Sequence, residues 1–216
     1  MTADSIIVAV DGPAAAGKGT LARSLAAALD LAYLDTGSIY RAVGAKVLDA
    51  GGDPADEPAA AAVAEGLVPA DLERDDLRGE AVGAAASQVS ALPLVRCALL
   101  AFQRDFAYNP PQGKQGAVLD GRDIGTVVCP EACAKLFVTA SAEERARRRH
   151  EELLARGEKS IYARVLQDMR TRDARDAGRE TAPLRPATDA YRLDTSRMDA
   201  DEAFRAALEI VRARCL

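Results

Sequence analysis

Gly12-Pro13-Ala14-Ala15-Ala16-Gly17-Lys18-Gly19-Thr20 has the residue types and spacing of a loop that cradles phosphates. Its glycines let successive backbone N–H groups turn into one concavity, the helix that follows adds the amides of its N-terminus, and Lys18 reaches the outer phosphates as a point charge. A nucleoside triphosphate is the ligand this pattern predicts. Gly19 stands where a hydroxyl usually follows the lysine, and the hydroxyl comes one place later, on Thr20. Magnesium is therefore expected to be held mainly by substrate phosphates and water rather than by a protein metal site.

Three further polar constellations are candidates for the same chemistry. Leu119-Asp120-Gly121-Arg122-Asp123-Ile124-Gly125 closes a short apolar run, where an arginine can grip a phosphate with two parallel hydrogen bonds. Tyr40-Arg41 follows Asp35-Thr36-Gly37, and Arg172, Asp176 and Arg179 fall at i, i+4 and i+7, predicting one helical face. Phosphoryl transfer between two anions needs several cations, because donor and acceptor repel each other and the transferring group spreads negative charge over its oxygens. A GTP-driven switch needs fewer of them and a base-reading NKxD element, which this sequence lacks. The dispersed arginines favour a kinase.

The elements that must position these residues are legible as alternating patterns. The apolar run Ile6–Val10 precedes the loop, and Leu21, Leu25 and Leu29 recur every fourth residue after it. Strand patterns at 6–10, 117–119, 136–138 and 191–193, and a short one at 31–34, are separated by helical stretches, which predicts an α/β fold with a parallel sheet of about five strands flanked by helices. Residues 39–50 pattern as a helix stopped by Gly51-Gly52. Residues 54–83, rich in Ala, Asp, Glu and Pro, read as a surface insertion, and 84–106 recovers helical patterning before Asn109-Pro110-Pro111. Ser141 and Glu144 form a capping box that starts a long arginine-rich helix.

Composition narrows the class. A chain of 216 residues suits one α/β domain with small insertions, and its net charge of −5 argues against nucleic acid as a bulk partner. Between Arg145 and Arg179 there are eleven Lys and Arg against six acids, a local basic block in an acidic chain. No run approaches a membrane span or a signal sequence, so a cytoplasmic protein is expected. Cys97, Cys129, Cys133 and Cys215 show no CxxC pair and are expected to be reduced thiols; with one histidine in the chain, no metal site is expected.

DGPAAAGKGT, LDTGSIYR, AASQVSALPLVR, DGRDIGT and RDARDAGR, in this order, resemble the bacterial cytidylate kinases, nucleoside monophosphate kinases that phosphorylate CMP and dCMP with ATP. The resemblance covers most of the chain and implies a core at residues 1–40, 114–147 and 184–216, a monophosphate-binding insertion at 41–113 and a helical lid at 148–183. It further implies that Lys18, Thr20 and the loop amides from Gly12 to Gly19 bind the ATP phosphates, and that Arg41, Arg122 and Arg179 hold the phosphate of CMP. Ser87, Arg96 and Asp123 would read cytosine, Thr36 and Tyr40 would line the monophosphate site, and Arg172 and Asp176 would face the ribose. Lys18, Arg122, Arg172 and Arg179 are the candidate catalytic residues, and Arg145, Arg148 and Arg149 begin the lid. A monomer is the family expectation. The family's segment before ASQVS is longer and carries short strands, whereas residues 67–83 are compact here, so its small sheet is expected to be reduced or absent. Two other readings stay open: a kinase for another nucleoside monophosphate or small metabolite, and a nucleotide-binding regulator without turnover.

Overall fold

A computed structural model describes residues 5–216, which fall into two compact units: one holds the described residues up to Leu34 together with Ala107–Leu216, the other Asp35–Phe106. In the first unit the apolar run becomes β1 (Ile6–Asp11), buried nearly throughout as a strand covered on both faces must be. It opens into α1 (Lys18–Leu29), whose Leu21 and Leu25 turn inward. With β2 (Ala32–Asp35), β3 (Gly116–Gly121), β4 (Ala134–Thr139) and β5 (Tyr191–Asp194) it makes a five-stranded sheet of order β2-β3-β1-β4-β5 among the described residues. β1 runs parallel to both β3 and β4, and β4 to β5, so the expected α/β architecture is present. Val8, Val10, Leu25, Val118, Leu136, Val138 and Leu193 share one core with α8 (Ala200–Cys215), which contributes Ala203, Ala207 and Val211.

Register decides what emerges beside the loop. Val10 pairs with Asp120, and Asp11 with Gly121 and Phe137, so the Asp-Gly-Arg-Asp segment leaves the sheet at the carboxyl end where the phosphate-type loop begins.

The unit Asp35–Phe106 is helical throughout. Asp35 caps α2 (Thr36–Asp49), its Oδ1 accepting from Ser38 N at 3.1 Å. The segment expected to be weakly patterned folds as α3 (Glu57–Glu65), capped by Asp56, and two 3-10 turns at Pro69–Leu72 and Asp75–Arg78. Among the described residues it carries no strand, in line with the compact 67–83 segment. Leu77 is buried with Ala42 and Ala45, and Leu67, Leu72 and Val82 close over them. α2 and α4 (Glu80–Val89) approach so closely at Gly44 that a Cβ there would lie 2.9 Å from Ala86 N and 3.0 Å from Ala85 Cβ.

Two stretches that read as single helices are broken. Residues 84–106 divide between α4 and α5 (Pro93–Tyr108), whose axes turn by 97°, because a proline disfavours helical backbone at the residue before it. The arginine-rich stretch divides into α6 (Ala142–Ala155) and α7 (Tyr162–Ala177), with the break at Arg156-Gly157. The capping box that starts α6 is half made: Ser141 Oγ accepts from Glu144 N at 3.2 Å, but Ser141 N donates to Ser196 Oγ at 2.9 Å instead of to Glu144.

The expectation of four reduced thiols is corrected at Cys133 and Cys215, which form a disulfide with Cα atoms 5.5 Å apart. It ties the residue before β4 to the end of α8 across 82 positions of sequence, a separation that no local pattern could join. Cys97 and Cys129 take no part in it. Among the described residues no single helix is long and apolar enough to cross a membrane.

Candidate active site

The loop between β1 and α1 is shaped by sterics first. Gly12 has φ 146° and a Cβ on it would fall 1.9 Å from Val138 O, so only glycine lets the chain leave β1 against β4. Ala15 sits at φ 58°, in the left-handed region. Lys18 is buried, with Nζ donating to Pro13 O at 2.8 Å. Burial and the Arg122 guanidinium lower its proton affinity to about 7, against the opposing fields of Asp120 and Asp11. Thr20 is exposed in the first turn of α1.

Two carboxylates that lie within the quoted motifs, but to which the motif reading gave no role, adjoin this loop. Asp11, the last residue of β1, accepts from Ile124 N and Gly125 N at 2.8 Å each and so holds the wide turn Ile124–Val128 in place. Burial raises its carboxyl to about 7, although those two amides pull the other way. Asp120 accepts from Tyr33 Oη at 2.8 Å, and its Oδ2 lies 3.4 Å from where a side chain on Gly19 would begin. Arg23 stacks over the Tyr33 ring. Asp11 ends β1 and opens the DGPAAAGKGT motif, whereas Tyr33, inside β2, carries no signal in the sequence.

The structure brings Arg122, Asp176 and Arg179 together in the same unit. Arg122 Nε donates to Asp176 Oδ2 at 3.1 Å, and Arg179 Nη2 to Asp176 Oδ1 at 2.5 Å. Burial pushes the Asp176 carboxyl up, but the fields of Arg122, Arg179 and Arg172 prevail and hold it below its ordinary value. The expected i, i+4, i+7 face is corrected: α7 ends at Ala177, and Arg179 reaches Asp176 from beyond the Gly178 cap. Asp123, buried, precedes the wide turn that Asp11 holds.

The helical unit gathers its own set. Arg41 Nη2 donates to Asp35 Oδ2 at 2.6 Å, while its buried Nε has no hydrogen-bond partner among the described residues. Arg96, buried, donates to Tyr40 Oη at 3.3 Å and lies over the Tyr40 ring. Ser87 on α4 and Thr36 at the start of α2 are buried.

The three arginines at the head of the expected lid are each engaged. Arg145 pairs with Asp173, Arg148 with Glu144, and Arg149 with Glu152.

A loop of this form between β1 and α1 of a parallel sheet, with arginines and paired carboxylates emerging at the same sheet end, defines a P-loop phosphotransferase. Within that class the chain belongs to the cytidylate kinase family, whose description matches residues 8–213. It is 63% identical over 207 residues to a cytidylate kinase of Paramagnetospirillum magneticum, covering 96% of this chain and 98% of that one. It is 60% identical over 206 residues to a cytidylate kinase of Rhodospirillum rubrum, covering 95% and 97%. In fold alone it is similar to the crystal structure of an uncharacterized protein from Eubacterium ventriosum, with a TM-score of 0.55, 14% identity and coverage of 97% and 99%.

Proposed function

We propose that this protein transfers the γ-phosphoryl group of ATP to CMP and dCMP, giving CDP and dCDP. The observation that carries the proposal is the family membership, which spans residues 8–213 and so includes every motif on which the acceptor depends. In this reading an oxygen of the CMP phosphate attacks the γ-phosphoryl in line as the bond from that phosphorus to the β,γ-bridging oxygen breaks and ADP leaves. The attacking oxygen is already anionic, so neither a covalent intermediate nor a strong general base is required. The loop from Gly12 to Gly19, through the backbone N–H groups of its residues other than Pro13, binds the donor phosphates together with the Lys18 side chain and Thr20. Magnesium would be held mainly by those phosphates and water and would supply neutralisation of charge on the transferring group; the Asp120 carboxylate beside Gly19 is a hard oxygen group of the kind it prefers.

Arg41, Arg122 and Arg179 take the acceptor phosphate. The buried Nε of Arg41 supports this, since an anion would satisfy it. Arg172 and Asp176 take the sugar, and Ser87, Arg96 and Asp123 read the base. Cytosine offers a donor amine and the acceptors O2 and N3, which such a set of carboxylate, hydroxyl and guanidinium can match. Thr36 and Tyr40 line the monophosphate site. Residues 41–113 act as the monophosphate-binding insertion and 148–183 as the lid, with core at 1–40, 114–147 and 184–216. The protein works as a monomer on free nucleotides in the cytoplasm.

A coupled assay with ATP and a panel of CMP, dCMP, UMP, AMP and GMP tests the proposal. CMP and dCMP are expected to support turnover far better than the purine monophosphates. Folded protein that forms no CDP sinks it, and tight ATP binding without any acceptor-dependent turnover would favour a regulator.

A further inference from the structure

The donor loop is held from behind. A loop that offers its amides to phosphate must turn its carbonyls outward, and three of them meet side chains. Lys18 Nζ donates to Pro13 O at 2.8 Å and Arg145 Nη1 to Ala14 O at 3.3 Å, while the one Thr195 hydroxyl proton is shared between Ala16 O at 3.1 Å and Thr139 O at 3.2 Å. Lys18 belongs to the loop itself, but the other two arrive from distant segments. Between their two contacts lies Ala15, held at φ 58°. A residue with a Cβ occupies that conformation only where its surroundings fix it.

Each brace is itself supported. Arg145, with a side chain 5% exposed, also donates through Nε to Ala140 O at 2.9 Å and closes on Asp173 with two bonds, Nη1 to Oδ1 at 3.0 Å and Nη2 to Oδ2 at 2.6 Å. Such a fork-to-fork pair fixes orientation as well as distance. Thr195, buried in the turn after β5, receives Arg148 Nη1 on its hydroxyl at 3.1 Å and Arg148 Nη2 on its carbonyl at 2.7 Å. Arg148 is held in turn by Glu144 at 2.9 Å. Asp173 stands next to Arg172 and one turn before Asp176 on α7, so the Arg145–Asp173 pair ties the donor loop to the helix that carries those residues.

We infer that Arg145 with Asp173, and Thr195 with Arg148, are positioning residues that set the donor loop's amides toward phosphate by fixing the carbonyls of Ala14 and Ala16. The inference rests on the donor half of the proposed reaction, not on the identity of the acceptor. It gives two arginines of the basic block a role other than contact with the transferring group.

The test is ATP affinity measured by calorimetry without acceptor, alongside thermal melting of each variant. Thr195→Val is expected to weaken ATP binding by about 3–10-fold, the loss of one hydrogen bond, and Thr195→Ser to restore it to within about 2-fold. Arg145→Lys and Asp173→Asn are each expected to weaken it by a similar factor, and the double variant by no more than either alone, as a pair acting as one unit requires. Fully additive losses would overturn the coupling through Asp173. Unchanged ATP affinity in folded variants that differ only in melting temperature would overturn the positioning role. Failure of CMP turnover with these affinity losses intact would strike the acceptor reading alone, whereas absence of ATP binding by the unaltered protein would overturn both.

Discussion

Lys18 lies buried with Nζ against Pro13 O, and burial with the neighbouring Arg122 lowers its proton affinity to about 7. The amine of the free protein therefore gives up its proton far more readily than an ordinary lysine, and the negative field of a bound triphosphate favours the charged form. ATP binding at pH 7.5–8 is expected to take up a proton, seen as different calorimetric heats in two buffers of unlike ionisation enthalpy. Lys18→Met should abolish the uptake. The acceptor side has a separate signature: Arg179→Ala removes a guanidinium from Asp176 and, in the proposed reading, from the acceptor phosphate. It is expected to lower kcat/KM for CMP by about 10²–10⁴-fold while ATP affinity changes by less than about 3-fold; equal losses of both would contradict that role. Residues in contiguous motifs, such as Lys18, Arg122 and Asp176, could be picked out from their neighbours in sequence. Tyr33 and Thr195 could not, because their importance lies in partners 87 and 179 residues away.

At the level of elements, periodicity identified the strands and the helices around the loop, and missed the places where helices stop. Residues 84–106 carry one apolar rhythm, yet Pro93 divides them, since rhythm reports which face is buried and not whether the backbone can continue. In the 54–83 segment, apolar residues are too sparse to show a period, and its order comes from caps such as Asp56 and from burial of Leu77 under α2. The close approach of α2 and α4 gives an element-scale prediction. Gly44→Val forces a branched side chain against Ala85 and Ala86 and is expected to destabilise the fold by about 1–3 kcal/mol, measured by urea unfolding. In the proposed reading the donor residues lie in the other unit, so the KM for CMP should rise more than that for ATP.

For the whole molecule, the disulfide between Cys133 and Cys215 fastens α8 to the head of β4. α8 supplies Ala207 and Val211 to the main core, so loosening its end exposes apolar surface as well as releasing chain entropy. Cys215→Ser is expected to lower stability by roughly 2–4 kcal/mol, and reductant should bring the unaltered protein to the same unfolding midpoint. An unfolding curve indifferent to both would remove the staple from the account of stability.

Sequence alone determined that this chain places a phosphate-cradling loop between a buried strand and an amphipathic helix, and that several arginines accompany it in motifs shared with one family. Those features are local: they depend on glycine's reach, on spacing along one strand or helix, and on neighbours within a few residues. The tertiary structure alone decided which carboxylates, hydroxyls and carbonyls each cation meets. Arg145 and Arg148 look like Arg122 and Arg179 in a linear chain, but only the fold brings Asp173 and Thr195 to meet the first two and Asp176 to meet the others. Even the glycine that opens the loop has its strictest constraint from afar, in the carbonyl of Val138 on the adjacent strand.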